Sequence, residues 1–326
     1  MSRPAASLSL DLDNEWSYLK IHGNPDWQRL PSFLDTVVPR ALEMLAARGL
    51  RITFFVVGQD AALEKNAEAL GTIAAAGHEV GNHSFGHDSW LHLYSREELA
   101  AEIERAEEAL GDVTGAKPVG FRGPGYSHSA ELVRALIGRG YLYDSSSLPA
   151  FTGPLARAYY FMTARLSSEQ KKQRATLFGT WREGLRPLAP YRWSDGKGCL
   201  LEIPLTTVPV IRVPFHFSYL LYLAEFSEGL ARAYLRVALR LCRARGVQPS
   251  LLLHSLDFVD GREAPALKFF PAMGISAGRK VELLSRMIDI VLERYYPLPL
   301  REYAATIPAA GRRTVSLPPE TGPESQ

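Results

Sequence analysis

The stretch Gly77-His78-Glu79-Val80-Gly81-Asn82-His83-Ser84-Phe85-Gly86-His87 constrains this chain more than any other. His83 and His87 are four residues apart. In a helical turn that spacing sets both imidazoles on one face, where they can converge on one ion. A third ligand has to arrive from elsewhere, and Asp13 is the best donor. It lies in Leu8-Ser9-Leu10-Asp11-Leu12-Asp13-Asn14-Glu15, an apolar strand-like run that ends in acid. Two histidines and one carboxylate leave part of a coordination sphere open, as a hydrolytic metal site requires. An isolated HxxxH is common in polar loops, but here residues 74–76 run into a glycine-permitted turn. Active-site residues of β/α folds sit where strands end. A mixed His/Asp set points to Zn²⁺ and also suits Co²⁺, Ni²⁺ or Fe²⁺.

The rest of the chain repeats the order strand, loop, helix. Residues 7–12 read as a buried strand, 16–31 as a loop over its end, and 32–48 as a helix. Residues 51–57 form the next strand and 61–76 the next helix. Ser95 with Glu98 has capping-box form and opens a helix to Leu110. Strands at 119–121, 141–143, 200–205 and 250–253 follow, with helices at 129–138, within 215–245, and at 279–295. This rhythm predicts an α/β fold with a parallel, closed sheet. Residues 151–198 break it with a basic cluster (Lys171, Lys172, Arg174) and many aromatics, including Tyr159, Tyr160, Phe161, Trp181, Tyr191 and Trp193. An insertion of this length reads as a lid on the substrate side. The domain then spans 1–306, and 307–326, rich in Pro, Gly and Glu, reads as a flexible tail.

Composition excludes several classes. With 46% hydrophobic residues in 326, the chain can bury a large core, and its net charge of +2 makes no case for nucleic acid. Cys199 and Cys242 build no disulfide framework and have no metal spacing, so both are expected to be reduced and packed. Residues 1–7 contain no apolar leader and no apolar run reaches a membrane span. A cytoplasmic protein is expected, compatible with peripheral membrane contact but without a transmembrane segment. Oligomeric state is not legible.

Asp11 and Asp13 are separated by one residue, so in a regular strand both point to one side. One can hold a metal while the other takes a proton from water. His254 follows the apolar run Leu251-Leu252-Leu253, and a histidine at a buried strand's end suits a general acid. Taken together, "SLDLDNEW", "GHEVGNHSFGH", "GFRGPGY" and "LLLHSLDF" fall in the order of the polysaccharide deacetylases, the NodB-homology group also called carbohydrate esterase family 4. The resemblance covers roughly residues 7–258. It implies a distorted (β/α) barrel of seven or eight strands, TIM-like in architecture. It also implies a metal-dependent amidohydrolase that removes an acyl group, acetyl in the simplest case, from a linear amide of an N-acylated sugar or glycoconjugate.

By that resemblance Asp13, His83 and His87 hold the metal, Asp11 is the general base, and Arg122 pairs with it. The Tyr126 backbone N–H, in Pro124-Gly125-Tyr126, meets the oxyanion, Leu252 walls the acyl pocket, and His254 donates the proton. Leu12 separates acids that are adjacent in the familiar motif. The acid that orients His254 is matched best by Asp144, with Asp257 as rival. Residues 215–224 and 159–162 are unusually apolar, which suits either core packing or a groove for a lipid-linked substrate. Two alternatives stand beside the deacetylase: a cyclic amide or imide hydrolase of the allantoinase type, and a non-catalytic carbohydrate-binding member. Binding alone does not require Asp11, Asp13, His83, His87, Arg122 and His254 together.

Overall fold

The computed structural model describes residues 3–153, 164, 166–174, 181–308 and 313–319. Its organising strand is β1 (Ala5–Leu12), buried along nearly its whole length. Leu8, Leu10 and Leu12 belong to the main hydrophobic cluster, while Ser9 and Asp11 turn to the other side and meet Arg122. Burying a leucine fully contributes roughly 1.5–3 kcal/mol. The apolar side therefore anchors the strand, and the polar side is left to carry chemistry.

Parallel ladders spread from β1 on both edges. On one side it pairs with β2 (Thr53–Val56), then β3 (Glu79–Asn82), β4 (Gly120–Phe121), β5 (Tyr143–Asp144) and β7 (Cys199–Glu202). On the other it pairs with β8 (Ser250–His254), and β9 (Tyr296–Leu298) pairs with its first residues, Ala5–Ser7. The crossovers carry helices α1 (Glu15–Ile21), α2 (Leu34–Ala46), α3 (Gly58–Ala61), α4 (Glu64–Ala75), α5 (Arg96–Thr114) and α6 (Ala130–Gly138). Later come α7 (Ser168–Gln173), α8 (Phe217–Phe226), α9 (Glu228–Ala244), α10 (Ala277–Leu292) and α11 (Leu300–Ala305). The result is the expected α/β fold with a mostly parallel sheet. Among the described residues no ladder closes it. Instead Thr206, past the end of β7, accepts and donates across to Ser250 at the start of β8, at 2.8 and 3.0 Å.

Local sequence signals and structure agree where a side chain satisfies the backbone nearby. Ser95 and Glu98 form the reciprocal capping box of α5, and Ser129 caps α6. Several expectations change. Residues 16–31 are not a simple loop: Asn14 caps α1, and a 3₁₀ turn follows at Pro25–Arg29. The helical region 215–245 is two helices, because Ser227 is extended and caps α9 through the Leu230 N–H. Tyr191–Ser194, β6, runs antiparallel to β7, the one antiparallel pair among the named strands. Thr314–Ser316, β10, pairs with β6, so the tail is tied down over those residues. Cys242 is packed as expected, but Cys199 is exposed. Arg174, from the basic cluster of the insertion, is buried against Trp90, its guanidinium 4.5 Å from the ring centroid. The apolar stretch 159–162, with Tyr159, Tyr160 and Phe161, lies outside the described residues. No helix among the described residues is long and apolar enough to cross a membrane.

Candidate active site

The site forms where β1, β3, β4 and β8 end. The register of β1 on β8 sets Asp11 beside His254, and its register on β2 sets it beside Phe55. One residue beyond β1, Asp13 meets both histidines. Its Oδ1 lies 2.9 Å from His87 Nε2 and 3.2 Å from His83 Nε2, and one donor atom from each of the three residues falls within 4.8 Å of the others. All three are buried. Burial works to raise the Asp13 carboxyl, yet the imidazoles, His87 foremost, hold it well below the usual carboxylate range. Burial opposes protonation of His83, but Asp11 and Asp13 raise it.

The two histidines converge, though not through a helical turn. Residues 83–87 are an irregular loop in which Ser84 and His87 adopt left-handed backbone, φ 61° and 54°. Non-glycine residues take that region rarely and persist there when the surroundings over-determine them. Here they do. Asn82 Oδ1 accepts from the Ser84 N–H at 2.8 Å, Glu102 accepts from the Phe85 N–H at 3.0 Å, and Lys20 donates to the Gly86 carbonyl at 2.7 Å.

The donor chemistry fits a divalent cation. His83 Nδ1 is 2.6 Å from the Arg122 carbonyl oxygen, which selects the tautomer that leaves Nε2 to face Asp13. Two imidazole nitrogens and a carboxylate oxygen, all facing one point and all buried, form a set that is unfavourable without a shared cation or proton.

Arg122 joins this triad to Asp11. The side chain is fully buried, and Nη1 donates to Asp11 Oδ1 at 2.6 Å and to Ser9 Oγ at 2.8 Å. Nε and Nη2 donate to the Ser145 carbonyl and hydroxyl at 3.0 and 2.9 Å, and the guanidinium lies over Phe55. The turn that follows needs its glycine: a Cβ on Gly123 would come within 2.2 Å of the Ser127 carbonyl oxygen. The Tyr126 N–H, expected at an oxyanion, instead donates to the Gly123 carbonyl at 3.0 Å within this turn. Burial, then Asp11, pushes the Tyr126 phenol well above its ordinary range.

His254 is held by a residue that sequence reasoning missed. Its Nδ1 is 2.8 Å from Ser218 Oγ, in the first turn of α8. Asp257 hydrogen-bonds Ser218 and accepts from the His254 N–H at 2.8 Å. Burial raises the Asp257 carboxyl, and His254 works against that. Asp144 does not take this role. It is buried against Glu202 and Ser146, and burial, then Glu202, raises it well above the carboxylate range. Two carboxyls in contact share a proton rather than orient a histidine. Asp257 is the acid beside His254. Ser218 had no motif to mark it, since it sits inside the apolar run 215–224. Leu252 is fully buried two residues before His254, on the same side of β8.

Beside these groups opens a cavity of about 200 Å³, lined by Gly125, Tyr126, His128, Arg186, His216 and Tyr219 among others. His216 stacks on Tyr219, with centroids 4.5 Å apart, and packs edge-on to His254. Burial holds His216 well below its usual range, and holds His128 down to about 3.

A family model described as polysaccharide deacetylase matches residues 26–143. Over that segment the chain resembles the polysaccharide deacetylase family. The matched segment holds His83, His87 and Arg122, while the fold brings Asp11, Asp13 and His254 to them from outside it. The Helicobacter pylori peptidoglycan deacetylase is 29% identical over 109 residues, 33% of this chain and 36% of that protein. The Bacillus cereus peptidoglycan-N-acetylglucosamine deacetylase is 33% identical over 86 residues, 26% of this chain and 30% of that protein. The Colletotrichum lindemuthianum chitin deacetylase is 32% identical over 109 residues, 32% of this chain and 44% of that protein. The chain thus spans less than half the length of these relatives. A Mycobacterium smegmatis protein described as a provisional polysaccharide deacetylase shares the fold. Its TM-score is 0.61 at 20% identity, covering 98% of this chain and 97% of that one.

Proposed function

We propose that this chain is a metal-dependent hydrolase that removes an acetyl or related acyl group from the nitrogen of an N-acylated sugar or glycoconjugate. One observation carries the reading: Arg122 clamps Asp11 with its side chain and orients His83 with its carbonyl oxygen. The acid and the ligand triad are thereby built as one unit, which binding alone does not require. The family's deacetylases of peptidoglycan and chitin support the substrate class.

A divalent cation held by Asp13, His83 and His87, Zn²⁺ on donor type, would supply electrophilic polarisation of the acyl oxygen and of water. The chain's own groups then do the proton work. Asp11, kept in place by Arg122, takes a proton from the attacking water. His254 gives a proton to the departing nitrogen, so amide and water become free amine and carboxylate. Ser218 and Asp257 keep the His254 ring turned so that Nε2 meets substrate. The cavity walled by Tyr126, His216 and Tyr219 receives the sugar. The apolar first half of α8 borders it and suits a substrate carrying a hydrophobic carrier.

Acetate release from N-acetylated chitooligosaccharides tests this, read beside the metal content of the same samples. Asp11→Asn should keep its metal and lose turnover by roughly 10²–10⁴-fold. Turnover by Asp11→Asn equal to the parent's, or no acetate from any N-acetylated sugar by metal-loaded protein, would overturn the reading.

A further inference from the structure

We infer that the face made by α8, α9 and the loop 209–213 docks on an anionic lipid bilayer. Tyr219, Tyr222 and Phe226 follow one another at helical spacing on the side of α8 opposite its buried Phe217, Leu220 and Leu221. Phe226 is 72% exposed, and Leu230 and Val237 continue the apolar strip along α9. At the loop tip Val210 is 66% exposed and Ile211 55%. This loop is joined to α9 by the Tyr234 hydroxyl, which donates to the Pro214 carbonyl at 3.1 Å. A soluble surface seldom gathers so many large apolar side chains in one place.

Charge chooses the partner. Residues 228–245 hold five arginines against one glutamate. That glutamate, Glu228, is already engaged by Arg232, Arg279 and Arg286. Arg236, Arg240, Arg243 and Arg245 have no acidic partner among the described residues, and Glu225 is the other acid on these two helices. At 100° per residue, Arg236, Arg240 and Arg243 flank the strip of Leu230, Val237 and Leu241 on one side. Apolar and aromatic side chains beside unpaired arginines are the pattern of an interfacial helix on acidic headgroups. An acidic nucleic acid would match the arginines but leave the aliphatic loop tip without a partner. Tyr219 belongs both to this face and to the wall of the cavity, so docking would turn the mouth of the site toward the membrane plane.

The inference concerns this surface and does not depend on the reaction. Its test is co-sedimentation of the full chain with vesicles of phosphatidylglycerol and phosphatidylcholine, against phosphatidylcholine alone. Binding should favour the anionic vesicles and weaken with salt. Arg240→Gln should reduce partitioning about fivefold, and Phe226→Asp about tenfold or more. Turnover of a soluble N-acetylated sugar should be unchanged in both. Absence of binding at low salt, equal binding to neutral vesicles, or unaffected variants would overturn it. So would a homodimer in sedimentation velocity that Phe226→Asp dissolves, because a second copy would then own the face. A chain that binds vesicles yet releases no acetate leaves this inference standing and removes the catalytic one.

Discussion

Replacing Arg122 with methionine is the sharpest probe of how the site is held. Met keeps much of the buried stem and all of the backbone, so the carbonyl that orients His83 remains. What disappears is the guanidinium and its hydrogen bonds to Ser9, Asp11 and Ser145. Asp11 is then a buried carboxylate without its cation. Removing one partner of a buried pair costs about 3–5 kcal/mol. With a urea m-value of about 3 kcal/mol/M, the unfolding midpoint should fall by roughly 1–1.7 M. Asp11→Asn in the same background removes the stranded charge. The double variant should therefore lose about 1–3 kcal/mol less than the sum of the two singles. Urea denaturation of the four proteins, all metal-free, reads this directly. Additivity within about 0.5 kcal/mol would show that Asp11 and Arg122 do not act as a pair, and the clamp argued above would fail. Metal content of Arg122→Met should stay near that of the parent, since no ligand has been touched.

Two further outcomes follow from the buried histidines and from Ser218. Burial holds His22 down to about 4 and His128 down to about 3, against an ordinary value of 6.5. Between 6.5 and those values the unfolded chain binds more protons than the native one, so stability falls as pH drops through this window. Each should contribute a loss of about 2 kcal/mol at pH 5 relative to pH 8. His22→Phe should remove about half of their combined loss in paired urea titrations, and a parent curve flat with pH would contradict the argument. Ser218→Ala should lower kcat roughly tenfold with KM little changed, a smaller effect than the 10²–10⁴-fold expected for His254→Ala. An unchanged kcat would mean that Asp257 and the strand alone aim the imidazole.

The parts of the site that were legible in the sequence are those set by local spacing. Asp11 and Asp13 share a side because a strand alternates. His254 marks the end of β8 because the apolar run stops there. The capping box at Ser95 is local chemistry, and it formed as read. The helical turn expected between His83 and His87 was wrong although their convergence was right. Spacing of four suits a helix, but hydrogen-bond partners on α1 and α5 hold the loop in left-handed backbone instead. Asp144 was the better match by motif, and Asp257 sits beside His254 in space. No one-dimensional signal reports that Asp144 would be packed against Glu202, which comes from a different strand.

The sequence alone determined the alternation of strands and helices, the apolar face of β1 and the chemical types available at the strand ends. These depend on backbone periodicity and on side chains within a few residues of one another. Only the tertiary structure decided that Asp257 rather than Asp144 lies beside His254, that Ser218 stands between His254 and Asp257, and that Arg122 links Asp11 to His83. Those assignments depend on register and on burial, where a displacement of one residue reverses a side chain's face and a lost neighbour changes its charge.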